Sequence, residues 1–175
     1  DDLAKAMKPY IKDNHILIAT KGIEQDTGLF INQILEKYLD TTNIAVMSGP
    51  SFAVDIITRM PAGLSLASKK IKTRELAKAA LQNKNIKLRE TRDVIGVEIC
   101  GSIKNVIALS AGMLDGMKAN DSTKAMFLTE AMHDMEEILE SFGAMRRTVT
   151  SFSGIGDLFL TCTSTKSRNF SFGKL

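Results

Sequence analysis

The spacing of apolar residues changes near Arg92, and this change indicates the fold class. Before it, short apolar runs alternate with stretches of helical spacing; after it, only helical spacing remains. Strands are predicted over 15–20, 43–47, 64–68 and 86–89, and helices over 3–12, 30–39, 52–59 and 73–83. This alternation predicts an α/β layer with mostly parallel strands, in which the later strands could run antiparallel.

Beyond Arg92 the sequence predicts long helices. They are expected over 94–117 and 123–142, with a short helix over 155–161. Residues 120–122 offer an N-cap for the second helix, and Gly143 ends it as a C′ glycine. The chain is therefore predicted to be α/β over 1–92 and all-α over 93–175.

The run 94–109, VIGVEICGSIKNVIAL, carries only two charges, Glu98 and Lys104. They lie six residues apart and point about 120° from each other on a helix, so they cannot form an (i, i+4) pair. Lys104 must extend its ammonium to solvent, find a partner on another element, or face a cavity. In a cavity, desolvation lowers the pKa of a lysine and suits it to proton transfer.

Two loops directly follow predicted strands. Lys21-Gly22 follows the first, and Ser48-Gly49-Pro50-Ser51 follows the second. Ligands of open parallel sheets bind outside the carboxyl ends of the strands, so both loops would lie on one ligand edge. Gly49 would let a ligand approach the backbone. The alternative is two ordinary strand-to-helix turns.

The last thirty residues carry a second group of candidates. Asp157 follows a glycine-rich turn and is either a functional acid or a simple helix N-terminal acid. Ser167-Arg168-Asn169 places a guanidinium between two small polar side chains, which suits a phosphate. The excess of Lys and Arg after Met145 is either a phosphate-attracting field or a solvated surface. Glu130-x-x-His133 has di-iron spacing but no second copy, so no metal site is predicted.

Composition excludes several other classes. The formal net charge of +3 is too small to indicate nucleic-acid binding. The longest stretch without a charge, 41–54, is too short for a membrane span. Two cysteines and no signal peptide predict reduced thiols and a cytoplasmic location.

Four blocks, in order along nearly the whole chain, together resemble the bacterial-type NAD(P)-dependent glycerol-3-phosphate dehydrogenase family. They are ATKGIE at 19–24, SGPSFA at 48–53, VIGVEICGSIKNVIALSAGMLDG at 94–116 and SGIGDLFLTCTSTKSRNFSFG at 153–173. The resemblance implies the C-terminal half of a Rossmann-like dinucleotide-binding domain over 1–92 and the first helices of a helical substrate domain over 93–175. It also implies interconversion of dihydroxyacetone phosphate and sn-glycerol 3-phosphate with NAD or NADP, for phospholipid synthesis.

The resemblance implies a role for each matching residue. Lys104 would be the catalytic acid/base. Substrate contacts would come from Lys21, Gly49, Ser51, Lys104, Asp157, Ser167, Arg168 and Asn169, and cofactor contacts from Lys21, Ala53 and Arg168. Many relatives have threonine where this chain has Ser51, and both residues offer a hydroxyl.

One departure from the family is large. No Gly-x-Gly phosphate loop follows a first strand, and Gly154-Ile155-Gly156 does not open a βαβ unit. The chain is therefore expected to begin midway through the Rossmann domain, to lack the last helices, and to be poorly active by itself. A different dehydrogenase of similar architecture and a non-catalytic phosphate- or nucleotide-binding module remain alternatives. The preferred cofactor and homodimer formation are left open.

Overall fold

The computed structural model describes all residues from Asp1 to Leu175. Its four strands form one sheet in the order β1-β2-β3-β4: β1 Ile16–Ile18, β2 Ile44–Ser48, β3 Ala62–Ala67 and β4 Ile86–Thr91. β1 and β2 are parallel, β2 and β3 antiparallel, and β3 and β4 parallel. The predicted α/β layer is confirmed, the antiparallel alternative left open for the later strands applies at the β2–β3 pair, and the carboxyl ends of β1 and β2 share one edge.

Eight helices complete the fold, and six of them begin and end within two residues of the predicted positions. They are α1 Asp2–Met7, α2 Ile31–Leu39, α3 Ala53–Ile57, α4 Ile71–Leu81, α5 Val94–Gly116, α6 Asp121–Ser141, α7 Asp157–Cys162 and α8 Arg168–Gly173. The first helix is shorter than predicted, since a 3₁₀ turn containing Pro9 follows Met7. The sequence did not predict α8, whose single short turn leaves little periodicity to read.

Side-chain caps fix the ends of the two long helices. Asp93 Oδ1 accepts a hydrogen bond from the Gly96 amide at the start of α5 (3.1 Å). Asn120 accepts from the Thr123 amide (2.8 Å), so the predicted N-cap of α6 is confirmed. Gly143, just beyond α6, has φ +68°, the left-handed conformation that a C′ glycine adopts without strain.

Helix α5 packs on both parts of the chain. Its first turns, through Val94 and Val97, join a buried cluster with β1, β2 and α2. Its later turns, through Ile107 and Ala111, join a second cluster with α6, α7 and α8. By length and composition alone α5 could cross a membrane, but 61% of its most apolar stretch is buried inside the protein. We therefore interpret α5 as a core helix of this fold.

The contact between α5 and α8 requires glycine. A Cβ built on Gly112 would lie 2.1 Å from the carbonyl oxygen of Phe170, and one on Gly173 would lie 2.0 Å from that of Leu109. Neither obstacle is a flexible side chain, so added atoms would force the two backbones apart. The close approach holds the segment after α7 against the middle of α5.

We expect Gly112→Ala to lower the free energy of unfolding by about 2 kcal/mol or more, because overpacking against a backbone carbonyl outweighs the higher helix propensity of alanine. Urea denaturation measures the change. Ser110→Ala, on the same helix, is the control and should shift stability by less than about 0.5 kcal/mol. Equal effects of the two variants would show that α5 and α8 do not pack this closely.

Candidate active site

A lysine–carboxylate cluster lies where the sheet edge meets the helical part. Lys104 Nζ donates to Asp157 Oδ1 (2.5 Å) and to Thr161 Oγ1 (3.1 Å). Lys21 Nζ donates to the other carboxylate oxygen of Asp157 (2.6 Å). We call Lys21, Lys104, Asp157 and Thr161 the Lys104 cluster. It brings together three of the residues predicted from the sequence.

Each member of the Lys104 cluster is positioned by a different element. Lys21 follows the carboxyl end of β1, as the ligand-edge argument predicts. Lys104 projects from the middle of α5, and Asp157 is the first residue of α7. Thr161 lies one turn further along α7, and its hydroxyl also donates to the Asp157 carbonyl (2.6 Å).

The Lys104 ammonium is buried rather than extended to solvent. Its side chain is 10% exposed and that of Asp157 only 2%. The interpretation of Lys104 as a solvent-extended lysine is therefore wrong, and the partner comes from another element. Because two ammonium groups share one carboxylate, the cluster has a formal charge of +1 and can accept an anion or a developing negative charge.

The pKa of Lys104 is lowered to about 8 by the combined effects of its surroundings: burial lowers it most, the neighbouring ammonium of Lys21 also lowers it, and Asp157 opposes both. A lysine in this range can both release and take up a proton near neutral pH. The arrangement is that of an acid/base group held by a buried carboxylate. Thr161 was not predicted; its only signal in the sequence is its position four residues after Asp157 in a helix.

The loop after β2 lies beside the cluster. A Cβ on Gly49 would lie 2.7 Å from the carbonyl oxygen of Gly63, so β3 itself requires a glycine at this position. Ser51 is exposed, and its hydroxyl donates to the Gly49 carbonyl (3.1 Å). A Cβ on Gly156 would meet Pro50 at 3.4 Å, which brings this loop next to the start of α7.

The segment 166–169 crosses from the helical part to α3. Lys166 Nζ lies 3.3 Å from Asp55 Oδ1 and 5.9 Å from the centre of the Phe52 ring. Arg168 is exposed and has no carboxylate within 4.0 Å. Its guanidinium is therefore not neutralised by an acidic side chain and is free to bind an anion. No hydrogen bond links the side chains of Ser167, Arg168 or Asn169 to the Lys104 cluster.

The structure gives the local settings of three further predicted contact residues, Ser167, Ala53 and Asn169. Ser167 is 5% exposed, and its hydroxyl caps α8 by accepting from the Phe170 amide (3.3 Å). Ala53 is the exposed first residue of α3, so only its backbone can serve a ligand. Asn169 makes no side-chain hydrogen bond within the chain and is half-buried.

Neither cysteine takes part in the chemistry of the site. Burial raises the pKa of Cys100 and of Cys162 to about 12. Both thiols are free and stay protonated at neutral pH, and a protonated thiol is a poor nucleophile. The candidate proton-transfer group of the site is therefore Lys104 rather than a thiol.

Glu98, the second charge of the apolar run, caps another helix. Its Oε1 accepts from the Asn32 amide at the start of α2 (3.0 Å), while Oε2 is buried without a partner. Burial raises the pKa of Glu98 from 4.5 to about 7, and the negative charge of Glu36 adds to this. The native protein thus binds the Glu98 proton more tightly than the unfolded chain does.

We expect this proton to make stability pH-dependent. A raised pKa contributes stability below the unfolded value of 4.5 that is lost as pH rises through about 7. Relative to Glu98→Gln, the wild-type protein should lose up to about 3 kcal/mol of unfolding free energy over this range. Denaturation at several pH values measures the difference. The exposed Glu130→Gln is the control, and a constant difference between wild type and Glu98→Gln would contradict the prediction.

The fold and the cluster place the chain among two-domain proteins in which a Rossmann-like sheet is followed by a helical domain. Two family models match it: the N-terminus of NAD-dependent glycerol-3-phosphate dehydrogenase over residues 1–74, and the C-terminus over residues 93–175. The chain belongs to the NAD-dependent glycerol-3-phosphate dehydrogenase family. The resemblance drawn from the four sequence blocks is thereby confirmed.

Individual relatives agree with the family models. A glycerol-3-phosphate dehydrogenase [NAD(P)+] from Rhizobium johnstonii is 36% identical over 98% of the chain and 53% of its own length. One from Nitratiruptor sp. is 39% identical over 94% of the chain and 55% of its length. The crystal structure of glycerol-3-phosphate dehydrogenase from Coxiella burnetii has a TM-score of 0.92 and 33% identity, over 99% of the chain and 53% of that structure. The chain spans about half the length of the relatives it matches.

Proposed function

We propose that the complete gene product interconverts dihydroxyacetone phosphate and sn-glycerol 3-phosphate with NAD or NADP. The observation that carries the proposal is the buried ammonium of Lys104, held by Asp157 beside the carboxyl ends of two parallel strands. A ketone at this place would meet a proton donor and a net positive charge. Membership of the glycerol-3-phosphate dehydrogenase family supports the same substrate pair.

In this proposal each residue of the site has its own role in catalysis or substrate binding. Lys104 stabilises negative charge on the ketone oxygen and gives it a proton in reduction, and takes the proton back in oxidation. Asp157 holds Lys104 in place and favours its charged form. Arg168, free of acidic partners, binds the substrate phosphate with Asn169, which fixes the ketone near the proton donor. Gly49, Ser51 and Ser167 are proposed to line the same space.

The nicotinamide cofactor supplies the hydride. Three groups could serve one part of such a cofactor: the ammonium of Lys21 after β1, the first backbone amides of α3 at Ala53, and the guanidinium of Arg168. The segment that carries Arg168 contacts α3 through Lys166 and Asp55. None of the three groups forms a glycine-rich pyrophosphate loop. We therefore assign these three residues to the nicotinamide side of the cofactor.

The test is the loss of NADH and NADPH absorbance when the complete gene product receives dihydroxyacetone phosphate. Hydroxypyruvate, which carries a carboxylate in place of the phosphate, is the matched substrate. Turnover with the phosphate ester and little with the carboxylate would support the proposal. Preference for the carboxylate would indicate a different dehydrogenase. Cofactor binding without turnover of either ketone would favour a non-catalytic binding module.

We also expect opposite pH dependences in the two directions. Ketone reduction needs protonated Lys104, so kcat should fall as pH rises through about 8, whereas alcohol oxidation should rise over the same range. Steady-state assays between pH 6 and about 10 in both directions measure this. Because Lys21 lowers the pKa of Lys104, Lys21→Met should move the transition to higher pH. Parallel profiles in the two directions would exclude Lys104 as the titrating group.

A cytoplasmic location and a role in phospholipid synthesis belong to the same proposal. The buried reduced thiols agree with a reducing compartment. Homodimer formation and the absence of nucleic-acid partners stay predictions from the sequence. Size-exclusion chromatography with light scattering would measure the oligomeric state.

A further inference from the structure

A polar cleft that shares no residue with the Lys104 cluster lies between β3–β4 and the 3₁₀ turn Arg146–Thr150. Its volume is about 390 Å³, and it bridges the α/β and helical parts of the chain. We call it the arginine cleft. No hydrophobic residue lines it; its walls are Ser65, Arg89, Glu90, Thr91, Arg147, Thr148, Thr150 and Ser151.

The two sides of the cleft are held in register. Ser65 and Arg89 are paired residues of β3 and β4, so their side chains leave the sheet on the same face. Ser65 is 2% exposed, and its hydroxyl oxygen accepts from the Ser153 amide (3.1 Å). This bond joins the sheet to the segment that follows the 3₁₀ turn. The Ser65 hydroxyl proton has no acceptor within the chain.

The two arginines of the cleft are positively charged, and no acidic side chain neutralises them. Neither Arg89 nor Arg147 has a carboxylate within 4.0 Å. Arg89 instead lies over the Phe152 ring at 5.2 Å, which orients its guanidinium. The one acid in the lining, Glu90, points to the other face of the sheet, where Lys78 (2.7 Å) and Arg74 (3.6 Å) bind its carboxylate.

We propose that the arginine cleft binds a phosphate group, either free or as the monoester of a small molecule, separately from the active site. Guanidinium groups bind phosphate oxygens in a planar, two-pronged geometry, and a free hydroxyl proton adds a donor. The wholly polar lining disfavours an apolar ligand, and the volume admits a phosphate with a small organic group. This inference does not depend on the proposed dehydrogenase activity.

A phosphate in the arginine cleft would bind both parts of the chain. Arg89 belongs to the sheet, and Arg147 belongs to the turn that leads through Ser153 to Asp157. The bound anion would therefore add a cross-link beside the Ser65–Ser153 hydrogen bond. Because it binds the folded chain only, it should raise the unfolding temperature.

The test is calorimetric titration of the complete gene product with inorganic phosphate. An Arg168→Gln background removes the phosphate contact proposed for the active site. In that background, Arg147→Gln and Arg89→Gln should each raise the Kd for phosphate about tenfold, the effect of losing one charge-assisted interaction. Arg59→Gln, which removes another arginine without an acidic partner, is the matched control and should leave the Kd unchanged.

Further titrations distinguish the possible sources of the phosphate. Glycerol 2-phosphate and AMP, compared with inorganic phosphate, show whether an organic group adds affinity. All variants are checked by circular dichroism, and the altered side chains are exposed, so folding should be retained. The proposal is overturned if Arg147→Gln and Arg89→Gln bind phosphate as the Arg59→Gln control does. It is equally overturned if the Arg168→Gln protein shows no saturable binding below roughly 10 mM phosphate.

Discussion

Replacing Lys104 with methionine in the complete gene product is expected to lower kcat for ketone reduction by at least about a thousandfold. The substitution removes the proton donor and, with it, the charge that stabilises the developing alkoxide. Methionine has nearly the same length and is apolar, so it fills a site where the lysine side chain is only 10% exposed. Asp157 also keeps Lys21 as a charged partner, so the loss should be mainly catalytic rather than structural.

Three measurements separate catalysis from folding in this variant. Cofactor oxidation gives kcat, titration with NADH gives cofactor affinity, and denaturation gives stability. The exposed Lys72→Met on α4 is the matched control and should keep full turnover. If Lys104→Met retains kcat within about tenfold of wild type, the proton is delivered by another group and the assignment of Lys104 is wrong.

Replacing Asp157 with asparagine is expected to affect stability and turnover together. Two ammonium groups, Lys104 and Lys21, would lose their shared carboxylate and repel each other. Removing one partner of a buried pair costs about 3 kcal/mol or more. Because Asp157 raises the pKa of Lys104, its loss should also move the alkaline decline in ketone reduction to lower pH. We expect kcat at neutral pH to fall on the order of a hundredfold.

An exposed ion pair provides the control for Asp157. Asp55 pairs with Lys166 at 3.3 Å, with side chains 39% and 58% exposed. Asp55→Asn should therefore change stability by less than about 1 kcal/mol. If denaturation and pH-rate profiles show the same small change for both aspartates, Asp157 neither stabilises the site nor tunes Lys104.

Sequence patterns predicted most of the elements because these depend on local spacing. The strands before Lys21 and Gly49 and the helix that carries Lys104 were all predicted near their observed ends. The caps of α6 at Asn120 and Gly143 were also predicted, because capping depends on residues close together in the sequence. The two elements that were not predicted are short. They are the 3₁₀ turn at Pro9 and α8, whose six residues carry too little periodicity.

The partners of Lys104 were harder to predict. Asp157 was a candidate both from its place after a glycine-rich turn and by resemblance, but the geometry of its contact with Lys104 depends on how α7 packs against α5, which no local pattern encodes. Thr161 was missed for the same reason, since a threonine inside a helix has no special signal. The structural use of the Ser167 hydroxyl as a cap was missed because α8 itself was not predicted.

Helix α5 belongs to the hydrophobic cores of both parts of the chain. Its first turns belong to the buried cluster against the sheet, its turns from Ile99 onward belong to the cluster of the helical part, and Lys104 lies in the middle of the helix. Neither core can open without exposing apolar residues of the other. The chain should therefore unfold in one cooperative transition, and Lys104 would keep its place even if the surrounding loops move.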